Sequence, residues 1–155
     1  MYVIHTKTGK QVKAVINKLD AKEFTLIKNG NRFNFNWNKE KSYDVYKLTA
    51  SGVNEILGLM SLEDRQEDYA IQIRLLAVSR ENIGETKQFK RIAGCLIAFA
   101  CNRAVSAGYG GYVCLKPKTE LKSHYQEVYG MVDTKMYLIT EGRNSLDLIK
   151  EYYED

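Results

Sequence analysis

Residues 75–104 read LLAVSRENIGETKQFKRIAGCLIAFACNRA, an apolar strand that feeds a polar, cationic loop and then an apolar helix. From about Phe89 to Ala107, Ile92, Leu96, Ala100 and Ala104, beside Ala93, Ile97 and Val105, recur at helical spacing. Gly108 stands where such a helix closes in the left-handed conformation. The loop brings Lys87, Lys90 and Arg91 to the helix start near Gly94. A helix N-terminus already carries about half a positive charge, so cations are misplaced there unless an anion joins them. Phosphate on the exposed first-turn amides, with Ala93-Gly94 letting the backbone come close, is the chemistry this pattern suits. The alternative is a solvated basic loop.

Outward from this stretch the elements alternate. Residues 112–115, YVCL, form a fully apolar strand that Pro117 ends. Thr119 is placed to cap a short helix with Leu121, Tyr125 and Val128 on one apolar face, stopped by Gly130. Residues 136–140 form another strand, and Ser145 is placed to cap a final helix with Leu146, Ile149 and Tyr153 inward. Upstream, residues 43–49, 55–62 and 68–78 read as successive antiparallel strands. Two hairpins precede them, turning at Thr8-Gly9-Lys10 and at Lys28-Asn29-Gly30-Asn31. The strand, helix, strand unit of residues 68–116 is long enough for a parallel crossover, which gives an α/β (α+β) sheet protein.

At 155 residues the chain suits one domain, divided into a basic β-rich extension (1–42), a core (43–140) and a C-terminal helix (141–155). Residues 1–41 carry nine Lys or Arg against three Asp or Glu, whereas the remaining 114 carry 14 against 16. Phe24, Phe33, Phe35 and Trp37 lie in the basic segment, a composition that single-stranded nucleic acid binding uses. No recognised binding motif accompanies it, so a solvated hairpin with its aromatics in the core is the preferred reading. The longest apolar run, Ile92 to Ala100, is far short of a membrane span, and the N-terminus has no apolar signal core; a cytoplasmic location is expected. Cys95, Cys101 and Cys114 show no C-x-x-C spacing and read as reduced, buried thiols, with only His5 and His124 as partners for cysteine chemistry. No metal is called for.

The order of elements, the phrase LLAVSREN followed by KQFKRIAGCLIAFA, and the later HYQEVYGM resemble the acetyl-CoA-binding core of the GCN5-related N-acetyltransferase superfamily over residues 43–140. The resemblance implies a mixed, mostly antiparallel sheet flanked by helices, with acetyl-CoA as co-substrate and an amine on a small molecule or protein as acceptor. A homodimer is compatible with it. By position it implicates Leu76, Ala77 and Val78 in holding the pantetheine arm. The superfamily's Q/R-x-x-G-x-G/A loop falls on residues 89–94, where only Gly94 is kept and Ile92 stands at the first glycine. Gln88, Lys90, Arg91, Ala93, Gly94 and Cys95 are thereby the implied cofactor contacts, and Lys118 stands where many relatives have asparagine. Tyr125, on the inward face of its helix, is the implied proton donor to the departing thiolate, ahead of Tyr129 at the capped end.

Gln72 stands where relatives place a glutamate base, and an amide cannot accept a proton at neutral pH. Glu55, Asp68, His124 or a water chain are the available substitutes. The rival to an enzyme is therefore a non-catalytic module that keeps the fold for CoA or protein binding, and a third reading has the basic segment bind nucleic acid.

Overall fold

In the computed structural model, which describes residues 1–154, the chain opens with a hairpin of β1 (Tyr2–His5) and β2 (Gln11–Lys18), turning at Gly9. Helix α1 (Ala21–Gly30) follows, then β3 (Asp44–Ala50), β4 (Gly58–Arg65) and β5 (Ala70–Val78) as antiparallel neighbours. The two-residue strand β6 (Phe89–Lys90) leads into the long α2 (Ile92–Ser106). After it come β7 (Val113–Leu115), α3 (Lys122–Tyr129), β8 (Val132–Asp133), β9 (Leu138–Thr140) and α4 (Gly142–Tyr153). The strands form one sheet in the order β6-β1-β2-β3-β4-β5-β7-β9-β8, and every pair is antiparallel except β5 with β7. The fold is mixed α/β, and no helix among the described residues is long and apolar enough to cross a membrane.

Helix α2 is apolar on almost every side because it is sandwiched between the sheet and α4. Cys95, Leu96, Ile97, Ala98, Ala100, Cys101 and Ala104 are completely covered. Each large aliphatic side chain buried in this way contributes about 1.5–3 kcal/mol. Gly94 belongs to this packing: a Cβ there would lie 2.1 Å from Tyr152 Cζ, so the absent side chain is what lets α4 lie against the first turn of α2. On the other face of the sheet a second cluster, Leu19, Phe24, Ile27, Phe33, Trp37, Val45 and Leu59, is covered by α1 and the segment after it. The crossover from β5 through α2 to β7 is the parallel unit expected for residues 68–116.

The expected second hairpin is absent, because residues 21–30 are helical. Asp20 and Glu23 form a reciprocal capping box: the Glu23 N–H donates to Asp20 Oδ1 (2.9 Å) and the Asp20 N–H donates to Glu23 Oε1 (3.1 Å). The Asn29-Gly30-Asn31 signal is a helix end with Asn31 in the left-handed region, where a hairpin turn was expected. The 1–42 segment thus holds one hairpin and one helix.

Four smaller expectations also change. Thr119 opens a single 3₁₀ turn and makes no side-chain cap, while Leu121 and Val128 are exposed; the buried pair on α3 is Tyr125 and Tyr129, one turn apart. Ser145 lies inside α4, where its hydroxyl donates to the Gly111 carbonyl (2.7 Å) and lies 2.9 Å from Thr140 Oγ1; Glu141 occupies the cap position. The buried face of α4 accordingly runs through Ser145, Leu148 and Tyr152, leaving Leu146 52% exposed.

Gly94→Ala is expected to destabilise the protein by about 1–3 kcal/mol through overpacking against Tyr152. The cost should shrink in a Tyr152→Ala background, a coupling that denaturant unfolding of the double-mutant cycle measures.

Candidate functional site

Strand β5 pairs with β7 over three residues only, Ile71 with Val113, Gln72 with Cys114 and Ile73 with Leu115. Beyond them β5 runs on to Val78, while on the other side the chain turns through Pro117, which has no N–H to donate. At the same level β5 carries a bulge: Ser61 faces Leu75 and Leu62 faces Ile73, leaving Arg74 as the extra residue. The bulge inverts the alternation, so that Ile71 and Ile73, then Leu76 and Val78, face α2. A cavity of about 700 Å³ opens where the strands part. Leu76, Ala77 and Val78 form one wall, Leu115 to Lys118 with Tyr125 and Tyr129 another, and the start of α2 one end.

The cavity is cationic. Arg32, Arg74, Arg80, Lys87, Lys90, Arg91, Lys116 and Lys118 line it, with no Asp or Glu among the lining residues. Arg32 pairs with Glu81 and Arg74 with Glu40 and Glu63, whereas Arg80, Lys87, Lys90 and Lys116 have no carboxylate partner among the described residues. Helix α2 begins at this end, and its cap residue Arg91 provides no side-chain bond to the first turn. The first-turn N–H groups have no intrahelical acceptor by geometry, so an uncapped helix start and unpaired cations converge on one end of the cavity.

Of the implied cofactor contacts, Leu76, Ala77, Val78, Lys90, Arg91 and Ala93 line the cavity, and Gln88, Gly94 and Cys95 do not. Gln88 is exposed, with its backbone N–H donating to the Glu81 carbonyl and its own carbonyl accepting from the Thr6 N–H. Gly94 faces Tyr152. Cys95 is covered, its thiol donates to the Tyr2 carbonyl (3.5 Å), and burial pushes its pKa up to about 11. Cys101 is raised likewise to about 11 and Cys114 is raised too; all three are free, buried thiols. Arg91 reaches the cavity mouth, but its guanidinium turns away to stack on the rings of Tyr2 (4.1 Å) and Tyr152 (4.6 Å).

Tyr125 and Tyr129 both line the cavity and are buried, their rings 5.8 Å apart, with the exposed His124 beside them. Burial raises the Tyr125 pKa above the tyrosine norm, and burial with neighbouring ionisable groups raises Tyr129 further. Both are therefore neutral phenols able to donate a proton. The sequence ranks Tyr129 behind Tyr125 because it stands at the capped helix end; the structure brings both to the cavity, one turn apart. The N-terminal segment also supplies wall: Phe35 is 43% exposed at φ +33°, and the Lys118 ammonium lies 5.3 Å from its ring centre.

No family model and no curated protein matches the sequence. Solved structures do. A chimera of the Vibrio cholerae spermidine N-acetyltransferase aligns with a TM-score of 0.61 at 15% identity, over 86% of this chain and 98% of that one. The ribosomal-protein-S18-alanine N-acetyltransferase of Escherichia coli aligns at 0.57 and 11%, over 82% and 89%. The toxin AtaT, bound to the C-terminus of its antitoxin and acetyl-CoA, aligns at 0.55 and 14%, over 91% and 99%. The chain has the fold of the GCN5-related N-acetyltransferases.

Gln72, where the resemblance implies a glutamate base, does not line the cavity and has its side chain engaged. Gln72 Oε1 accepts from Arg65 Nη1 (3.0 Å), and the same guanidinium reaches Tyr137 Oη (3.3 Å) and Asp68. Neither Glu55 nor Asp68 lines the cavity, and His124 does. Glu40, buried beside the β5 bulge, accepts from Ser61 Oγ (2.8 Å) and Arg74 Nε (2.9 Å), so it is committed to structure.

A carboxylate introduced by Gln72→Glu is expected to titrate below the ordinary glutamate value of about 4.3, because Arg65 favours its charged form. Its pKa should rise when Arg65 is also replaced by Met. Carboxyl-carbon NMR titration of the two variants checks both shifts.

Proposed function

We propose that the protein transfers an acetyl group from acetyl-CoA to an amine by direct attack. The observation that carries this reading is the cavity itself, where an unpaired strand edge, an uncapped helix start and two buried phenols meet. The free edge of β5 from Arg74 to Val78 offers backbone groups to an amide-bearing arm such as pantetheine. At the α2 end, Arg80, Lys87 and Lys90 complement phosphate, each charge-assisted contact contributing about 1.5–3 kcal/mol. The solved structures that share the fold include N-acetyltransferases named for a ribosomal protein and for spermidine, which leaves the acceptor class open.

In the chemistry proposed, the lone pair of a neutral amine attacks the thioester carbonyl carbon and forms the C–N bond. Collapse of the adduct breaks the C–S bond, and the sulfur takes a proton from Tyr125 Oη. The adduct nitrogen loses its proton to water or to His124, and water returns a proton to the phenolate. Because Gln72 cannot act as a base, the amine's own deprotonation governs the rate. A second reading, a module that binds CoA without turnover, is supported by Gln72: the sequence resemblance assigns the base to that position, and its amide is held by Arg65 outside the cavity lining.

Calorimetric titration with CoA is expected to show binding that weakens at least tenfold in Lys87→Glu/Lys90→Glu; no heat at millimolar ligand overturns the cofactor reading. Transfer to a panel of polyamines, aminoglycosides and amino-terminal and lysine peptides is expected to rise with pH as the amine loses its proton. With Tyr125 held above about 10, no alkaline loss of the donor should appear below that pH. Tyr125→Phe should lower turnover about 10²- to 10⁴-fold with little change in CoA affinity. CoA binding with no product from any acceptor would favour the second reading.

A further inference from the structure

The phosphate loop has almost none of the glycines that would shape it, and its one retained glycine, Gly94, is occupied with packing against Tyr152. What holds the loop is the N-terminal strand. β1 pairs antiparallel with β6, Ile4 opposite Lys90 and His5 opposite Phe89. One residue on, the Thr6 N–H donates to the Gln88 carbonyl (2.9 Å), and the Thr6 hydroxyl donates to the Lys87 carbonyl (2.7 Å), with the Gln88 carbonyl at 3.1 Å. From the inner side the Phe89 N–H donates to Asn82 Oδ1 (2.8 Å), and Asn82 Nδ2 donates to Ser79 Oγ (2.8 Å). Past the loop, Arg91 sits at φ +81°, a conformation that disfavours arginine, and its guanidinium donates to the carbonyls of Tyr2 (3.2 Å) and Glu151 (3.1 Å).

We infer that Thr6 is a positioning residue for the phosphate site: its hydroxyl and N–H turn the carbonyls of Lys87 and Gln88 outward, which leaves Lys87, Lys90 and the first turn of α2 directed at the same ligand. The inference rests on the loop being the phosphate site of the proposed function. A loop that must order itself on binding loses affinity to the lost backbone freedom, and a loop already tied to a strand does not. The N-terminal hairpin is thereby part of the ligand site although none of its residues lines the cavity.

Two variants test this in the full chain. Thr6→Val keeps the branched shape and removes the hydroxyl; Thr6→Ser keeps the hydroxyl. In the ligand-free protein, amide hydrogen exchange at Gln88 and Phe89 is expected to accelerate about tenfold in Thr6→Val and to stay near wild type in Thr6→Ser, at equal melting temperature. CoA affinity by calorimetry should fall about five- to tenfold in Thr6→Val and be restored in Thr6→Ser, with turnover at saturating acetyl-CoA unchanged. Wild-type exchange and wild-type CoA affinity in Thr6→Val overturn the inference, as do equal losses in the two variants, which would remove the hydroxyl from the argument. Accelerated exchange in Thr6→Val beside a wild-type protein that binds no CoA supports the tie between strand and loop and overturns the phosphate-site reading instead.

Discussion

A parallel pair of strands that can bond over three residues and no more sets the terms for the rest of this molecule. β5 is nine residues long and β7 three, so the five residues of β5 beyond Ile73 are left with an open edge on the β7 side in the interior of a nine-stranded sheet. Buried backbone groups without partners are costly, and a sheet tolerates such an edge only where solvent or a ligand can reach it. Pro117 keeps the chain from closing the gap, and the bulge at Arg74 turns the side chains of the open stretch so that Leu76 and Val78 still face α2. The cavity is therefore a consequence of strand lengths before it is a matter of any catalytic group.

The charge distribution follows from the same opening. Eight cationic residues line it without an acid, although the core sequence after residue 41 is slightly acidic overall. Some of that charge is neutralised internally, Arg32 by Glu81 and Arg74 by Glu40, and these pairs shape the walls. Of the unpaired remainder, Lys87, Lys90 and Arg91 adjoin the start of α2, where the helix dipole adds to them, and Lys116 and Lys118 lie on the wall after β7. Such a concentration of like charge opposes compactness, and an anionic ligand would relieve it.

The unit from β5 through α2 was plain in the amino-acid sequence because its periodicity runs unbroken for some fifteen residues and its ends carry clear signals. The helix α1 was not, since Asn29-Gly30 marks a hairpin turn and a helix end equally well; the deciding signal was the Asp20 and Glu23 pair three residues apart, outweighed by the strand-like EFTLI. Residues 76–78 and 125 were placed by the resemblance to the acetyltransferase core, with helix spacing adding a local reason to prefer Tyr125. The behaviour of Arg91 and Gly94 could not be read in either way. Both depend on Tyr152, and Arg91 also on Tyr2, partners that lie far away along the chain and leave no trace in local pattern. Arg91 looked like a ligand group by its charge and is a brace by its contacts.

That brace also bears on the order in which the molecule assembles. Arg91 bonds to Tyr2, 89 residues before it, and to Glu151, 60 residues after it. Contacts of such separation form slowly, because each must close a long stretch of still-mobile chain. A polypeptide emerging from synthesis can complete the hairpin, the central strands and α2 while the last helix is still missing, but Arg91 then lacks one side of its clamp. The start of α2 and the cavity end beside it thus mature late, once both β1 and α4 have docked.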